Sequence, residues 1–190
     1  MFLIKKFKKQ IIQLYLNKIG FTLIEMLASM FIFALLTGIF LANYHGANQR
    51  NKLIMAAQKL ASDIRMAQSF ALGAREFGAD NIPQGGWGVR FDEGTSNYKI
   101  FADDITVNKQ YDSGEADKTK GGRIIDLPDG VTIYLLSAGD PTDIVFLPPD
   151  PTTYINGAAD QTVLITLKDS KSNTTKKIEV NFFGLIDVVD

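Results

Sequence analysis

The chain has 190 residues, 46% hydrophobic and 22% charged, with a formal net charge of −1 and no cysteine. That length suits one modest domain plus an additional element, and that balance suits a folded chain. Without cysteine there are no disulfides, thiolate metal sites or cysteine nucleophiles, and a single histidine, His45, gives no basis for histidine-centred catalysis or a multi-histidine metal site.

The first 20 residues carry Lys5, Lys6, Lys8, Lys9 and Lys18 and no acid, so the remaining 15 basic and 21 acidic residues give a formal charge of −6. An acidic body argues against general nucleic-acid binding, which needs a basic surface to neutralise phosphates. The same stretch carries Phe2, Leu3, Ile4, Ile11, Ile12, Leu14, Tyr15 and Leu16, a mixture suited to an amphipathic helix on an inner membrane leaflet.

Residues 21–42 are apolar but for one charge. A helix of that length covers roughly 33 Å, enough to cross a bilayer core. An uncleaved signal anchor fits, with the basic residues held on the cytoplasmic side. An ordinary secretory signal fits poorly, because the apolar stretch is long and lacks a small-x-small cleavage site at its far end. Neither accounts for Glu25, whose carboxylate inside such a span costs on the order of 2.5 kcal/mol or more. A cut after Gly20 would create a positive group, the new α-amine of Phe21. If such helices pack side by side, Glu25 of one copy could neutralise the amine of its neighbour.

Helical periodicity resumes over 49–77, where Leu53, Ala57, Leu60, Ile64, Ala67 and Ala71 recur at three- and four-residue steps. Lys59, Asp63, Arg65, Arg75 and Glu76 fall mostly off this stripe. Residues 43–51 allow a break between two helices, with Gly38 and Asn43 as weak points. Without one, a single helix carries an apolar half and an amphipathic half. Gly78, Pro83, Gly85, Gly86 and Gly88 mark a loop that ends it. Beyond them the period changes to two. Strands are expected at 87–92 and 97–102, flanking a turn at 93–96, and at 123–127, 131–137, 143–147, 162–168, 176–182 and 185–189, with a second hairpin around 169–174. Asp140, Pro141 and the run 148–151 read as loops. One long helix and about eight short strands make an α+β architecture, the helix laid across antiparallel sheet.

The run from Lys18 through Gly20, Phe21, Thr22 and Leu23 to Glu25 closely resembles the class III leader of type IV prepilins and pseudopilins. The resemblance implies that a membrane prepilin peptidase cuts between Gly20 and Phe21 and N-methylates Phe21, and that Glu25 guides assembly. At 20 residues the leader is long, and Ala42 stands about where many pilins have a kinking proline. The implied organisation is a cleaved leader at 1–20, a transmembrane and assembly half-helix at 21–42, an amphipathic half at 43–78 and a β-rich head at 79–190. Residues 60–71, 87–91, 127–131, 144–148 and 183–186 also resemble the GspH/FimT branch of minor pseudopilins and minor pilins. The implied partners are other pilin or pseudopilin subunits, the prepilin peptidase, an inner-membrane assembly platform and membrane lipid. The implied location is the bacterial inner membrane, head outside, and then a periplasmic or surface filament. The alternatives are a FimT-like minor pilin for DNA uptake and an uncleaved membrane-anchored binding domain.

Other constellations read as structural. Asp103, Asp104, Asp112, Glu115 and Asp117 offer oxygen ligands for a hard cation, but Lys109, Lys118 and Lys120 interrupt them, and a solvated hairpin connection is expected with no metal. Lys168, Lys171, Lys176 and Lys177 could form a small basic patch, yet the chain ends in acids where DNA uptake would need positives. Trp87, Tyr98 and Phe101 read as core. No nucleophile–base pair or phosphate cradle is present, so no enzyme activity and no cofactor is expected.

Overall fold

The computed structural model describes residues 20–78, 81–117, 119–148 and 152–189. The basic leader, with its expected amphipathic helix, lies outside the described residues apart from Gly20. The chain divides into two compact units, Met1–His45 and Gly46–Asp190.

Helix α1 is assigned from Leu23 to Leu72, 50 residues without interruption at Gly38 or in the 43–51 region. In the first unit its apolar residues are solvent-exposed. In the second unit every residue of the expected stripe is buried, with Leu60, Ile64 and Ala67 fully so. The helix stops at Leu72 rather than running on to 78, and its stop is a Schellman motif. The Arg75 N–H donates to the Phe70 carbonyl and the Ala74 N–H to that of Ala71, with Ala74 in the left-handed region at φ 47°.

Among the described residues nine strands follow, forming two antiparallel sheets. The first holds β1 (Trp87–Phe91), β2 (Asn97–Ala102), β3 (Arg123–Asp126), β5 (Thr142–Leu147) and β6 (Thr152–Ile155), ordered β3-β2-β1-β5-β6. The second holds β4 (Val131–Leu136), β7 (Val163–Asp169), β8 (Thr175–Val180) and β9 (Ile186–Val189), ordered β4-β7-β8-β9. Both expected hairpins, β1–β2 and β7–β8, are present. β6 follows the loop expected at 148–151, where the sequence reading places no strand.

Alternation builds the core. Trp87, Val89 and Phe91, then Tyr98 and Ile100, Ile144 and Phe146, Ile165 and Leu167, and Ile178 and Val180 point toward the α1 stripe and join it in one apolar cluster. A polar link accompanies this packing, since the Tyr98 hydroxyl donates a short hydrogen bond to Asp63, which also pairs with Lys59 at 2.7 Å. Burial, then the Asp63 bond, push the Tyr98 hydroxyl well above its ordinary range.

The first sheet is covered on its other face too. Phe101, Val145 and Ala116 form a second buried cluster with Tyr111 and Tyr154. Phe101 and Val145 lie on either side of Gly88, where a Cβ would come within 2.8 Å of both side chains. Cover on both faces explains why β5 is buried along nearly its whole length rather than on alternate residues.

Candidate functional site

Gly20 and Phe21 precede the helix in non-helical backbone, both exposed, with Phe21 at 75%. Thr22 caps the helix. Its hydroxyl accepts the Glu25 N–H at 3.3 Å, and its carbonyl accepts the N–H groups of Glu25 and Met26, each at 3.1 Å. Thr22 is therefore the N-cap and Glu25 the third helical residue, the spacing of a capping box. A carboxylate there also faces the positive end of the helix dipole. Thr22 can do this because threonine tolerates the extended cap conformation and offers a hydroxyl at the right reach. The Gly20–Phe21 peptide is thus exposed and flanks a capped helix start.

Leu23–Leu41 is long and apolar enough to cross a membrane by length and composition, and none of it is buried. Its other polar side chains satisfy themselves within the helix. Ser29 donates to the Met26 carbonyl at 2.9 Å and Thr37 to the Phe33 carbonyl at 2.7 Å. Such back-bonding lets a hydroxyl sit in hydrocarbon without an orphaned donor. Glu25 has no such remedy. Among the described residues no hydrogen bond or ion pair reaches its carboxylate, so placed in lipid it would be a charge in want of a partner. The sequence reading located this unmatched charge but overlooked the cap. The signal was the Thr-x-x-Glu spacing itself.

The acidic loop is more than a solvated connection. Asp103 and Glu115 are fully buried. The Asp103 Oδ2 accepts the Lys109 N–H at 2.6 Å, while Glu115 accepts the N–H groups of Asp104, Ile105 and Asp112 at 2.7–3.1 Å. Asp143 accepts the Tyr111 N–H at 3.1 Å and pairs with Arg90 at 3.3 Å. Burial pushes all three carboxyls up from the ordinary range, against the opposing pull of these N–H groups. The acids serve as internal staples that hold the loop against Phe101 and Val145. Among the described residues no three acidic or histidine side chains converge as metal ligands. Room for Asp103 comes from Gly85, where a Cβ would come within 2.1 Å of its carboxyl group.

The four lysines do not form one patch. Lys168 and Lys177 share the outer face of the β7–β8 hairpin with Thr166, while Lys176 sits opposite the buried Leu167 on the other face. Lys168 lies 4.5 Å from the Tyr134 ring, and Lys171 is exposed in the turn. Trp87, Tyr98 and Phe101 are all buried. The Trp87 indole N–H donates to the Arg75 carbonyl at 2.9 Å, which ties the helix end to β1.

A model of the prokaryotic N-terminal methylation motif matches residues 16–41, a stretch that contains Gly20, Phe21, Thr22 and Glu25. No curated protein and no solved structure matches the chain. The chain thus carries a type IV prepilin-like class III signal peptide.

Proposed function

We propose that this protein is a minor pseudopilin or minor pilin of the GspH/FimT type, cut between Gly20 and Phe21, N-methylated on Phe21 and assembled into a thin filament of a type II secretion or type IV pilus-like machine. The matched motif points to a structural, prepilin-peptidase-processed subunit that assembles with other pilins. The observation that carries the finer reading is the carboxylate of Glu25, unpartnered among the described residues and one helical turn past an accessible peptide bond. Cutting that bond removes five lysines and produces the amine that the carboxylate lacks. Residues 21–42 then act as the membrane and assembly half, 43–78 as the amphipathic half and 79–190 as the outward-facing head.

The helix cap and charge pairing are separable, because the cap bonds come from Thr22 and none among the described residues uses the Glu25 carboxylate. Glutamine at the third helical position preserves the capping geometry but carries no charge. Glu25→Gln should therefore be processed normally yet enter filaments poorly. Normal incorporation of Glu25→Gln, measured by immunoblot of sheared filaments, would show that the charge is not needed and would rule out charge pairing. An uncleaved, membrane-anchored head is the second reading. It is favoured only by the length of the leader.

A further inference from the structure

Each exposed sheet edge leaves outward N–H and C=O groups that need cover. Three of the four edges here are covered by the chain itself. On β4, the Ile133 N–H donates to the Thr95 carbonyl at 2.9 Å and its carbonyl accepts the Gly94 N–H at 2.8 Å. On β6, Ile155 and Ala158 exchange both bonds, at 2.8 and 3.0 Å. On β9, the Ile186 carbonyl accepts the Arg65 guanidinium at 2.6 Å, and the Val188 N–H is taken by Asp187 at 2.8 Å.

Among the described residues the fourth edge, β3, is open. The Asp103 N–H donates to Gly86 on the β1 side, so by alternation Tyr98 and Ile100 direct their peptide groups toward β3. Tyr98–Ile125 and Ile100–Arg123 are then the bonded pairs, and the N–H and C=O of Ile124 point away from the sheet. Among the described residues nothing bonds to them. Beside them lies a groove of 430 Å³ lined by Arg75, Gly121, Gly122, Arg123, Ile124 and Ile125. Neither arginine has an acidic partner among the described residues. Arg75 lies 3.9 Å over the Phe70 ring, and the Arg123 guanidinium donates to the Met66 sulfur at 3.7 Å.

We propose that the β3 edge is a docking site for an extended segment of another protein, which adds as a strand on Ile124 and presents carboxylates to Arg75 and Arg123. Strand addition draws its affinity from main-chain hydrogen bonds and its selectivity from side-chain contacts. Here the selecting contacts are two guanidiniums that favour planar, bidentate acids. The site lies wholly within the second unit and does not depend on cleavage at Gly20.

The test is a titration of the full-length protein in detergent with a fluorescein-labelled alternating peptide, Thr-Val-Thr-Val-Glu-Glu, against the same peptide ending in two lysines. The acidic peptide should bind at least about ten-fold more tightly. Ile124→Pro deletes only the outward N–H, a substitution that edge strands accommodate, and should weaken binding by a similar factor; so should the double substitution Arg75→Glu with Arg123→Glu. Should Ile124→Pro lose its native circular dichroism, a peptide N-methylated at the residue facing Ile124 replaces it, with the same loss expected. Absent binding, equal binding of the two peptides, or indifference to the variants overturns the proposal. So does tighter binding of a DNA duplex, or dimerisation of the chain that the peptide fails to compete away.

Discussion

Tyr98→Phe isolates the buried hydrogen bond between Asp63 of α1 and Tyr98 of the first sheet, in the second unit. Phenylalanine keeps the ring beside Phe91, whose centroid lies 5.9 Å away, and removes only the hydroxyl. Asp63 would then rely on Lys59, whose side chain is 55% exposed while that of Asp63 is 13% exposed. A hydrogen bond to a charged group contributes about 1.5–3 kcal/mol. Because Lys59 continues to neutralise part of the charge, the expected loss lies near the middle, about 2 kcal/mol. For a unit of this size that corresponds to a fall in Tm of about 4–8 °C. The assay is thermal denaturation of the full chain in detergent, followed by circular dichroism. Tyr98→Phe, Asp63→Asn and the double variant form a cycle whose coupling should reach about 1 kcal/mol. A Tyr98→Phe loss below about 0.5 kcal/mol, the scale of an ordinary surface change, would refute the view that this link holds helix to sheet.

Two further outcomes follow from the geometry. Ala74→Gly should stabilise the protein by about 1 kcal/mol, because alanine now occupies the left-handed position of the helix stop; an unchanged or lower Tm would contradict that assignment. Asp92 is pushed up by burial, but its bond to Lys99 and the charges of Arg90 and Lys99 outweigh this and hold its carboxyl below the ordinary value. A depressed carboxyl contributes stability above the unfolded pKa of about 3.9 and loses it as pH falls through the folded value. The Tm advantage of wild type over Asp92→Asn should therefore shrink as pH falls below about 4, whereas a constant gap down to pH ~2 would rule out this source of stability.

Much of the fold was legible because it rests on local period. Leu53 through Ala71 trace a helical stripe without reference to anything distant, and the two hairpins announce themselves by strands in phase around a polar turn. What escaped depends on partners far along the chain. Asp63 lies off the apolar stripe in sequence, and its burial is made tolerable by Tyr98, 35 residues on, together with Lys59. Asp103 and Glu115 read as solvated because their burial requires the space left at Gly85 and the apolar face of Phe101. β6 was hidden behind the prolines at 148–151, although Thr152 to Ile155 are β-branched and aromatic, as an edge strand prefers. The division into two sheets is a pairing outcome and has no local signature. At the candidate site the reverse holds. Gly20, Phe21 and Glu25 stand out in the sequence because a charge in an apolar run is anomalous, and the structure adds Thr22 as the cap that fixes where the helix begins.

The most direct test of the account is intact-mass and N-terminal peptide mass spectrometry of the protein purified from its native host. Cleavage after Gly20 with N-methylation predicts a mature chain that begins at Phe21 with a single methyl group on its α-amine. A mature chain that still begins at Met1 would contradict it.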